Sequence, residues 1–159
     1  MIIVSACLAG VACRHDGTGR ENELIQELAA NRLAMPMCPE VLGGREIPRT
    51  PCEIQGGTGA DVIAGRAKVT DKNGKDVTKE IMEGVNTVLK AVERMNVTAV
   101  ILKSKSPTCG CGSIYDGSFS GKLIAGDGVL AAALKQKGVK VYTEENCGEF
   151  AEKMLKVTG

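Results

Sequence analysis

The chain has 159 residues, of which 43% are hydrophobic and 25% charged, so it is long enough to bury a core and ordinary for a globular protein. Its formal net charge of +1, with two Tyr, two Phe and no Trp, argues against nucleic-acid binding, which needs basic surfaces or aromatic stacking platforms. Its apolar runs are too short to span a membrane, and residues 1–7 lack the basic segment of an export signal. We therefore expect a cytoplasmic monomer or homodimer that binds neither nucleic acid nor membrane.

Strand-like and helical segments alternate from the start of the chain. Residues 2–5 form an apolar run that predicts a buried strand, and residues 33–37 predict a second one. Between them, residues 22–31 carry Leu24, Ile25 and Leu28 at helical spacing. A strand, a helix and a second strand in this order predict a βαβ unit with parallel strands.

The alternation continues after a glycine-rich segment. Residues 41–66 contain six glycines and two prolines, which predicts a long lid-like loop. The following segments are predicted as a strand (66–70), a helix (78–95), a strand (97–103), a second glycine-rich loop (104–125), a helix (129–137), a strand (139–143) and a helix (147–157). Together they predict one α/β domain over residues 1–159, a Rossmann-like three-layer fold with a mostly parallel sheet.

Seven cysteines are present, and three of them follow strand-like runs. An odd number of cysteines without an export signal argues against a disulfide framework and favours metal ligands or reactive thiols. Cys7 and Cys38 come directly after the first two predicted strands, and Cys109 lies six residues beyond the strand at 97–103. Because parallel strands end at one edge of a sheet, these three thiols are predicted to converge.

The spacing of these cysteines bears on which metal they would bind. His15 is the single histidine, which excludes zinc sites that need two, and no pair of C-x-x-C motifs is present, although four cysteines could still form a zinc site. Three widely spaced thiolates favour an iron–sulfur cluster with one iron left without a protein ligand. Such an iron could bind a substrate atom as a Lewis acid.

Polar side chains flank two of these cysteines. Glu40, two residues after Cys38, is a candidate general acid or base, and Ser106, three residues before Cys109, could orient a polar group of a substrate. Four cations nearby either bind an anionic substrate or are solvated surface charges: Arg14, Arg49, Lys103 and Lys105.

Several segments together resemble the DUF523 family, which includes the iron–sulfur-dependent 2-thiouracil desulfurases. They are VSACLAG (4–10), CRHDG (13–17), CPEVLGG (38–44), PRTP (48–51) with Glu53, LKSKSPTCG (102–110) and IYDGSFSG (114–121). The resemblance extends in order from residue 1 to about residue 145. The chain differs from the family at Cys52 and Cys111, where residues are smaller or variable, and at His15, where an aromatic residue is common.

The resemblance implies a [4Fe–4S] cluster held by Cys7, Cys38 and Cys109, with one iron not ligated by protein. It also implies non-redox removal of sulfur from a thiolated pyrimidine such as 2-thiouracil, or from a related small thioamide, with release of sulfide. Glu40 and Ser106 match catalytic positions of the family, and Cys111 could compete for an iron. Two alternatives remain: a non-enzymatic metal- or sulfur-binding module that uses the same cysteines, and thiols that only pack in the core.

Overall fold

A four-stranded parallel sheet forms the centre of the protein. The computed structural model describes residues 1–158. Numbered in chain order, the strands of this sheet are β1 (Ile2–Ser5), β2 (Ala34–Met37), β5 (Ala99–Leu102) and β8 (Lys140–Thr143). Their spatial order is β2-β1-β5-β8, and every neighbouring pair is parallel. The predicted parallel sheet is therefore confirmed.

Helices cover both faces of this sheet because apolar side chains alternate along its strands. Ile3 and Val100 belong to a buried cluster with α4 (Thr78–Arg94) and α5 (Val129–Gln136). Ile2 and Ile101 point to the opposite face, into a cluster with α1 (Glu23–Ala30) and α6 (Gly148–Thr158). The three-layer α/β prediction is thus confirmed. Within residues 1–158, no helix is both long and apolar enough to cross a membrane.

Two short antiparallel strand pairs lie outside the central sheet; three of their four strands lie in segments that the sequence predicted as loops, and the fourth, β4, corresponds to the strand predicted at 66–70. β3 (Cys52–Gln55) pairs with β4 (Lys68–Asp71), and β6 (Ser113–Tyr115) pairs with β7 (Leu123–Ala125). Residues 41–66 are therefore not one long loop, because they contain β3 and the helix α3 (Gly59–Ile63). The prediction failed because strands of three or four residues between glycines and prolines carry too little periodicity to be recognised.

The short helix α2 (Pro39–Leu42) packs against α4 at an unusually close distance. A Cβ atom at Gly84 of α4 would lie 1.7 Å from the carbonyl oxygen of Pro39, and one at Gly43 would lie 1.9 Å from that of Glu80. The two backbones are in direct contact, so only glycine fits at either position. Because α2 begins directly after Cys38, this packing fixes the position of Cys38 relative to α4.

Candidate functional site

The predicted cysteines converge where the order of the sheet reverses. From β1 the chain moves outward to β2, and then crosses back to β5 and β8 on the other side. In open parallel sheets, ligands bind outside the carboxyl ends of the strands at such a reversal. A cavity of about 210 Å³ lies there, and Cys7, Cys38 and Cys109 all line it.

Each of these cysteines is placed by a different local structure. Cys7 lies in a single 3-10 turn, Ala6–Ala9, directly after β1. Cys38 is the residue before α2, where Pro39 occupies the first helical position. Cys109 lies in a turn closed by Ser106, whose Oγ accepts hydrogen bonds of 3.1 Å from the backbone N–H groups of Thr108 and Cys109. All three side chains are free thiols.

A fourth thiol, that of Cys13, lies among them. Cys13 is 5% exposed and lines the same cavity. Hydrogen bonding to Cys38 lowers its pKa, but hydrogen bonding to Cys7 and burial outweigh this, so the pKa of Cys13 is raised. Cys13 therefore joins the three predicted cysteines at this cavity, which Cys52 also lines, so that five cysteines line it where the sequence predicted three.

Burial and contact with neighbouring thiols raise the pKa values of Cys13, Cys38 and Cys109, which keeps these three thiols protonated when no metal is bound. Hydrogen bonding to Cys13, followed by burial, raises the pKa of Cys38 far above its ordinary value. Burial raises the pKa of Cys109 to about 12, although a hydrogen bond with Ser5 lowers it. Any cation that binds here must displace protons from sulfur, so its binding will be stronger at higher pH.

The other three cysteines have different surroundings. Cys52 also lines the cavity, but its Sγ donates to Oε1 of Glu40 over 3.9 Å. Burial raises the pKa of Cys52, and the nearby negative charge of Glu40 raises it further. Cys111 interacts with Lys135, and Cys147 is buried in the cluster that contains α1 and α6; neither lines the cavity. The arrangement therefore gives no support to competition by Cys111 for an iron.

Glu40 lies in the first turn of α2 and its two oxygens have different partners. Oε1 accepts hydrogen bonds from Arg45 at 3.3 Å and Arg49 at 3.2 Å, whose side chains are only 8% and 6% exposed. Oε2 accepts a hydrogen bond of 3.4 Å from the hydroxyl of Thr108. The two buried guanidinium groups fix the orientation of the carboxyl group, and Oε2, which has only the Thr108 hydroxyl as a partner, is the oxygen that can act on a ligand in the cavity that Glu40 lines.

The cations that the sequence singled out separate into paired and unpaired ones. Arg49 is bound to Glu40 and also donates to the carbonyl oxygen of Cys13 over 3.0 Å. Lys103 lies 3.0 Å from Glu144. Lys105 lines the cavity from a left-handed backbone conformation (φ 68°), and no residue within 1–158 forms an ion pair or a side-chain hydrogen bond with it. Of the two Lys, Lys105 is therefore the one available to a ligand.

The Lys103–Glu144 pair fixes the end of β5 next to the cavity. Glu144 also accepts hydrogen bonds of 2.8 Å from both the backbone N–H and the hydroxyl of Ser104. Burial by itself would raise the pKa of Glu144, but the hydrogen bonds from Ser104 and Lys103 outweigh it and hold that pKa below its ordinary value. The Lys103–Glu144 ion pair therefore stabilises the fold, and the Lys103 ammonium group already has a partner when no substrate is bound.

Within residues 1–158, no three His, Cys, Asp or Glu side chains are arranged to hold one metal ion. A single tetrahedral zinc with bonds of about 2.3 Å would require its thiolates within about 4 Å of one another. In an iron–sulfur cluster each thiolate binds a different iron. Cysteines that line one cavity without being placed around one metal position suit such a cluster. The donors present fit a cluster better than a single ion.

Sequence reasoning did not identify several residues that shape this site. Ser5 ends β1, and its hydroxyl accepts the backbone N–H of Lys103 over 2.9 Å while bonding the Cys109 sulfur. Arg45 and Thr108 bind Glu40, and neither carried a sequence signal. Cys13 did carry one, since it lies six residues after Cys7 in the same loop.

Comparisons with known proteins agree on one family. A family model described as 2-thiouracil desulfurase matches residues 2–146. The uncharacterized protein YbbK of Bacillus subtilis (strain 168) is 48% identical over 150 residues, which cover 94% of this chain and 99% of that protein. A solved structure described as the [4Fe-4S]-dependent thiouracil desulfidase TudS superposes with a TM-score of 0.84 at 36% identity, covering 96% of each chain.

Proposed function

The chain belongs to the 2-thiouracil desulfurase family (DUF523), and from that premise we propose that it removes sulfur from a thiolated pyrimidine, or from a related small thioamide, without net redox change. The convergence of Cys7, Cys38 and Cys109 with Glu40 and Ser106 on one cavity carries the proposal. The free thiols and the oxygen sensitivity of exposed thiolates and sulfides are consistent with a cytoplasmic enzyme.

Cys7, Cys38 and Cys109 would hold a [4Fe–4S] cluster as thiolates, which leaves one iron without a ligand among these three residues. When bound, the cluster supplies a Lewis-acidic iron that draws electron density from the thiocarbonyl group. Ser5 and Met37, the last residues of β1 and β2, line the cavity, so the carboxyl ends of these strands would lie next to the bound cluster.

Glu40 is the proposed proton acceptor, through Oε2. Since Arg45 and Arg49 both bind Oε1, the carboxyl group is fixed in orientation. Oε2 can then take a proton from the water that attacks the substrate carbon, and later return it to the departing sulfur. The net change is water and C=S to C=O and hydrogen sulfide, which balances without an oxidant or reductant.

Ser106 is the proposed donor to the substrate. Its Oγ already accepts two backbone N–H groups, so the remaining capacity of the hydroxyl is its own proton. That proton can be donated to a ring nitrogen or an exocyclic oxygen of the base. Lys105 lies in the same cavity and offsets negative charge on a bound pyrimidine.

The test is anaerobic reconstitution with iron and sulfide, followed by incubation with 2-thiouracil. We expect a brown protein that binds iron, and the release of sulfide together with uracil. A folded protein that stays colourless after reconstitution contradicts the proposal. A screen of thiolated bases and nucleosides under the same conditions identifies the preferred substrate.

Replacing Glu40 by Gln separates catalysis from metal binding. Turnover should fall by about 10²–10⁴-fold, the usual contribution of a general base, while the iron content is retained. Glu46→Gln is the matched control, since Glu46 is exposed on the same segment and does not line the cavity. A non-enzymatic metal- or sulfur-binding module would instead bind iron or persulfide without turnover, and Glu40→Gln would leave that binding unchanged.

A further inference from the structure

We propose that Glu53 is a specificity-determining residue, which accepts a hydrogen bond from an N–H next to the C=S group of the substrate. The substrate class is thereby narrowed to thioamides and thioureas that carry hydrogen on that nitrogen. This inference rests on the proposed function, because it assumes that a thiolated base binds in the cavity described above. It gives Glu53 a role separate from the proton transfer at Glu40.

Glu53 has a buried carboxyl group with one oxygen in use and one without a partner. It is 8% exposed, lies in β3 and lines the cavity. Its Oε1 accepts hydrogen bonds from the backbone N–H groups of Gly117 at 2.9 Å and Phe119 at 3.2 Å. No residue within 1–158 donates to Oε2, which remains accessible. A ligand that fills the cavity must bring a donor to this oxygen, because a buried acceptor without one costs free energy.

The position of the unpartnered oxygen is fixed because Glu53 and Gln55 hold the same loop. Side chains two residues apart in a strand share a face, and Nε2 of Gln55 donates to the carbonyl oxygen of Gly117 over 2.6 Å. Both backbone groups of Gly117 are thus bound by side chains of β3. A Cβ atom at Gly117 would lie 2.6 Å from the carbonyl oxygen of Ile54, so the loop lies directly on the strand. This clamp orients the Glu53 carboxyl group before any ligand binds.

The other polar side chains of the cavity leave Glu53 as the acceptor for a base. Glu40 and Glu53 are the two carboxyl groups that line it. Lys105 can only donate, and the hydroxyl of Ser106 has only its own proton left. A base such as 2-thiouracil has an N–H on each side of its C=S group as well as an oxygen, so it needs an acceptor as well as donors. Because Oε2 of Glu40 is assigned to proton transfer, Oε2 of Glu53 is the carboxyl oxygen that remains.

Replacing Glu53 by Gln tests this role without releasing the loop. The N–H groups of Gly117 and Phe119 need an acceptor, so the amide oxygen of the new side chain takes the place of Oε1. The amide NH2 group then takes the place of Oε2, and the cavity presents a donor where it had an acceptor. A residue that only clamps the loop would tolerate this change, whereas a residue that recognises an N–H would not.

The reconstituted proteins are compared by kcat/KM for 2-thiouracil and for pyrimidine-2-thione. The latter has one N–H and one bare nitrogen beside its C=S group, so turning the ring over presents either nitrogen to the side chain. We expect Glu53→Gln to lose about 10- to 100-fold in kcat/KM with 2-thiouracil, the usual worth of a strong hydrogen bond. With pyrimidine-2-thione the change should be no more than about twofold.

Gln55→Ala is the matched control. It removes a hydrogen bond from the same clamp, and Gln55 does not line the cavity. We expect this variant to lower the urea midpoint of the metal-free protein and to keep the wild-type ratio of kcat/KM between the two substrates. A change in that ratio equal to the change in Glu53→Gln would assign the effect to the loop and overturn the inference.

A second measurement records binding without turnover. Both ligands are titrated by calorimetry into reconstituted Glu40→Gln and Glu40→Gln/Glu53→Gln proteins, and the Kd should rise about 10- to 100-fold for 2-thiouracil alone. Equal changes for the two ligands, or no change for either, would overturn the inference. A wild type that assembles its cluster but leaves 2-thiouracil intact would contradict the proposed function, and the Kd values would then decide the role of Glu53. A loaded protein that binds neither ligand would overturn both.

Discussion

Replacing Gly84 by Ala tests how the fold positions the site. The added Cβ would lie 1.7 Å from the Pro39 carbonyl oxygen and 3.1 Å from the Gly43 amide nitrogen. Heavy atoms in contact rest about 3.5 Å apart, so α2 must retreat by about 2 Å. Both obstacles are backbone, so no side-chain rotation relieves them, and Cys38 and Glu40 move with the helix.

The magnitude follows from two opposing terms. Overpacking of this kind costs about 1–3 kcal/mol, and here the upper value applies because the neighbour is a rigid helix. Alanine gains about 1 kcal/mol over glycine inside a helix. The net loss for Gly84→Ala is about 2 kcal/mol, which lowers the Tm by about 4–8 °C for a chain of this size.

The assay is urea and thermal unfolding of the metal-free protein, followed by measurement of iron bound after reconstitution. Gly148→Ala is the control, because a Cβ at this helical glycine meets nothing within 4 Å and should leave stability equal or higher. Gly84→Ala should be destabilised and should bind less iron, because Cys38 is displaced. If Gly84→Ala is as stable as wild type and binds iron equally, the backbone contact between α2 and α4 is wrong.

Three further substitutions test the polar framework by urea unfolding of the metal-free protein. The pKa of Glu144 is held low because its hydrogen bonds, including that from Lys103, outweigh burial, so Glu144→Gln should lower the free energy of unfolding by about 1–2 kcal/mol at pH 7. This difference between variant and wild type should shrink as the pH falls below about 4.5, where Glu144 becomes protonated. A difference that does not depend on pH would contradict the assignment. Arg49→Leu should cost about 1.5–3 kcal/mol by removing a buried charged partner of Glu40, and an unchanged midpoint would count against that ion pair. Ser5→Ala should cost about 1–3 kcal/mol because the Lys103 N–H loses its acceptor, with Ser5→Thr expected to recover part of the loss; equal stability of Ser5→Ala and wild type would refute it.

Much of the fold could be predicted because the four central strands are short apolar runs separated by amphipathic helices. Burial on both faces of a parallel sheet produces such runs, and parallel pairing brings their carboxyl ends to one edge. The convergence of Cys7, Cys38 and Cys109 on one cavity follows from that topology. The strand pairs β3–β4 and β6–β7 could not be predicted, because pairing between three- or four-residue strands depends on contacts that leave no period in the sequence.

From the amino-acid sequence alone follow the parallel sheet, three of the candidate thiols and the two polar residues beside them. The partners of each of these groups became known from the tertiary structure. Arg45 and Arg49 both bind Oε1 of Glu40, whereas Oε2 has only the Thr108 hydroxyl, and this asymmetry depends on how α2 and the segment after it pack. Cys13 joins the other thiols of the cavity because its loop folds back over the end of β1. Such distances between residues far apart in the chain are set by packing, and no local pattern encodes them.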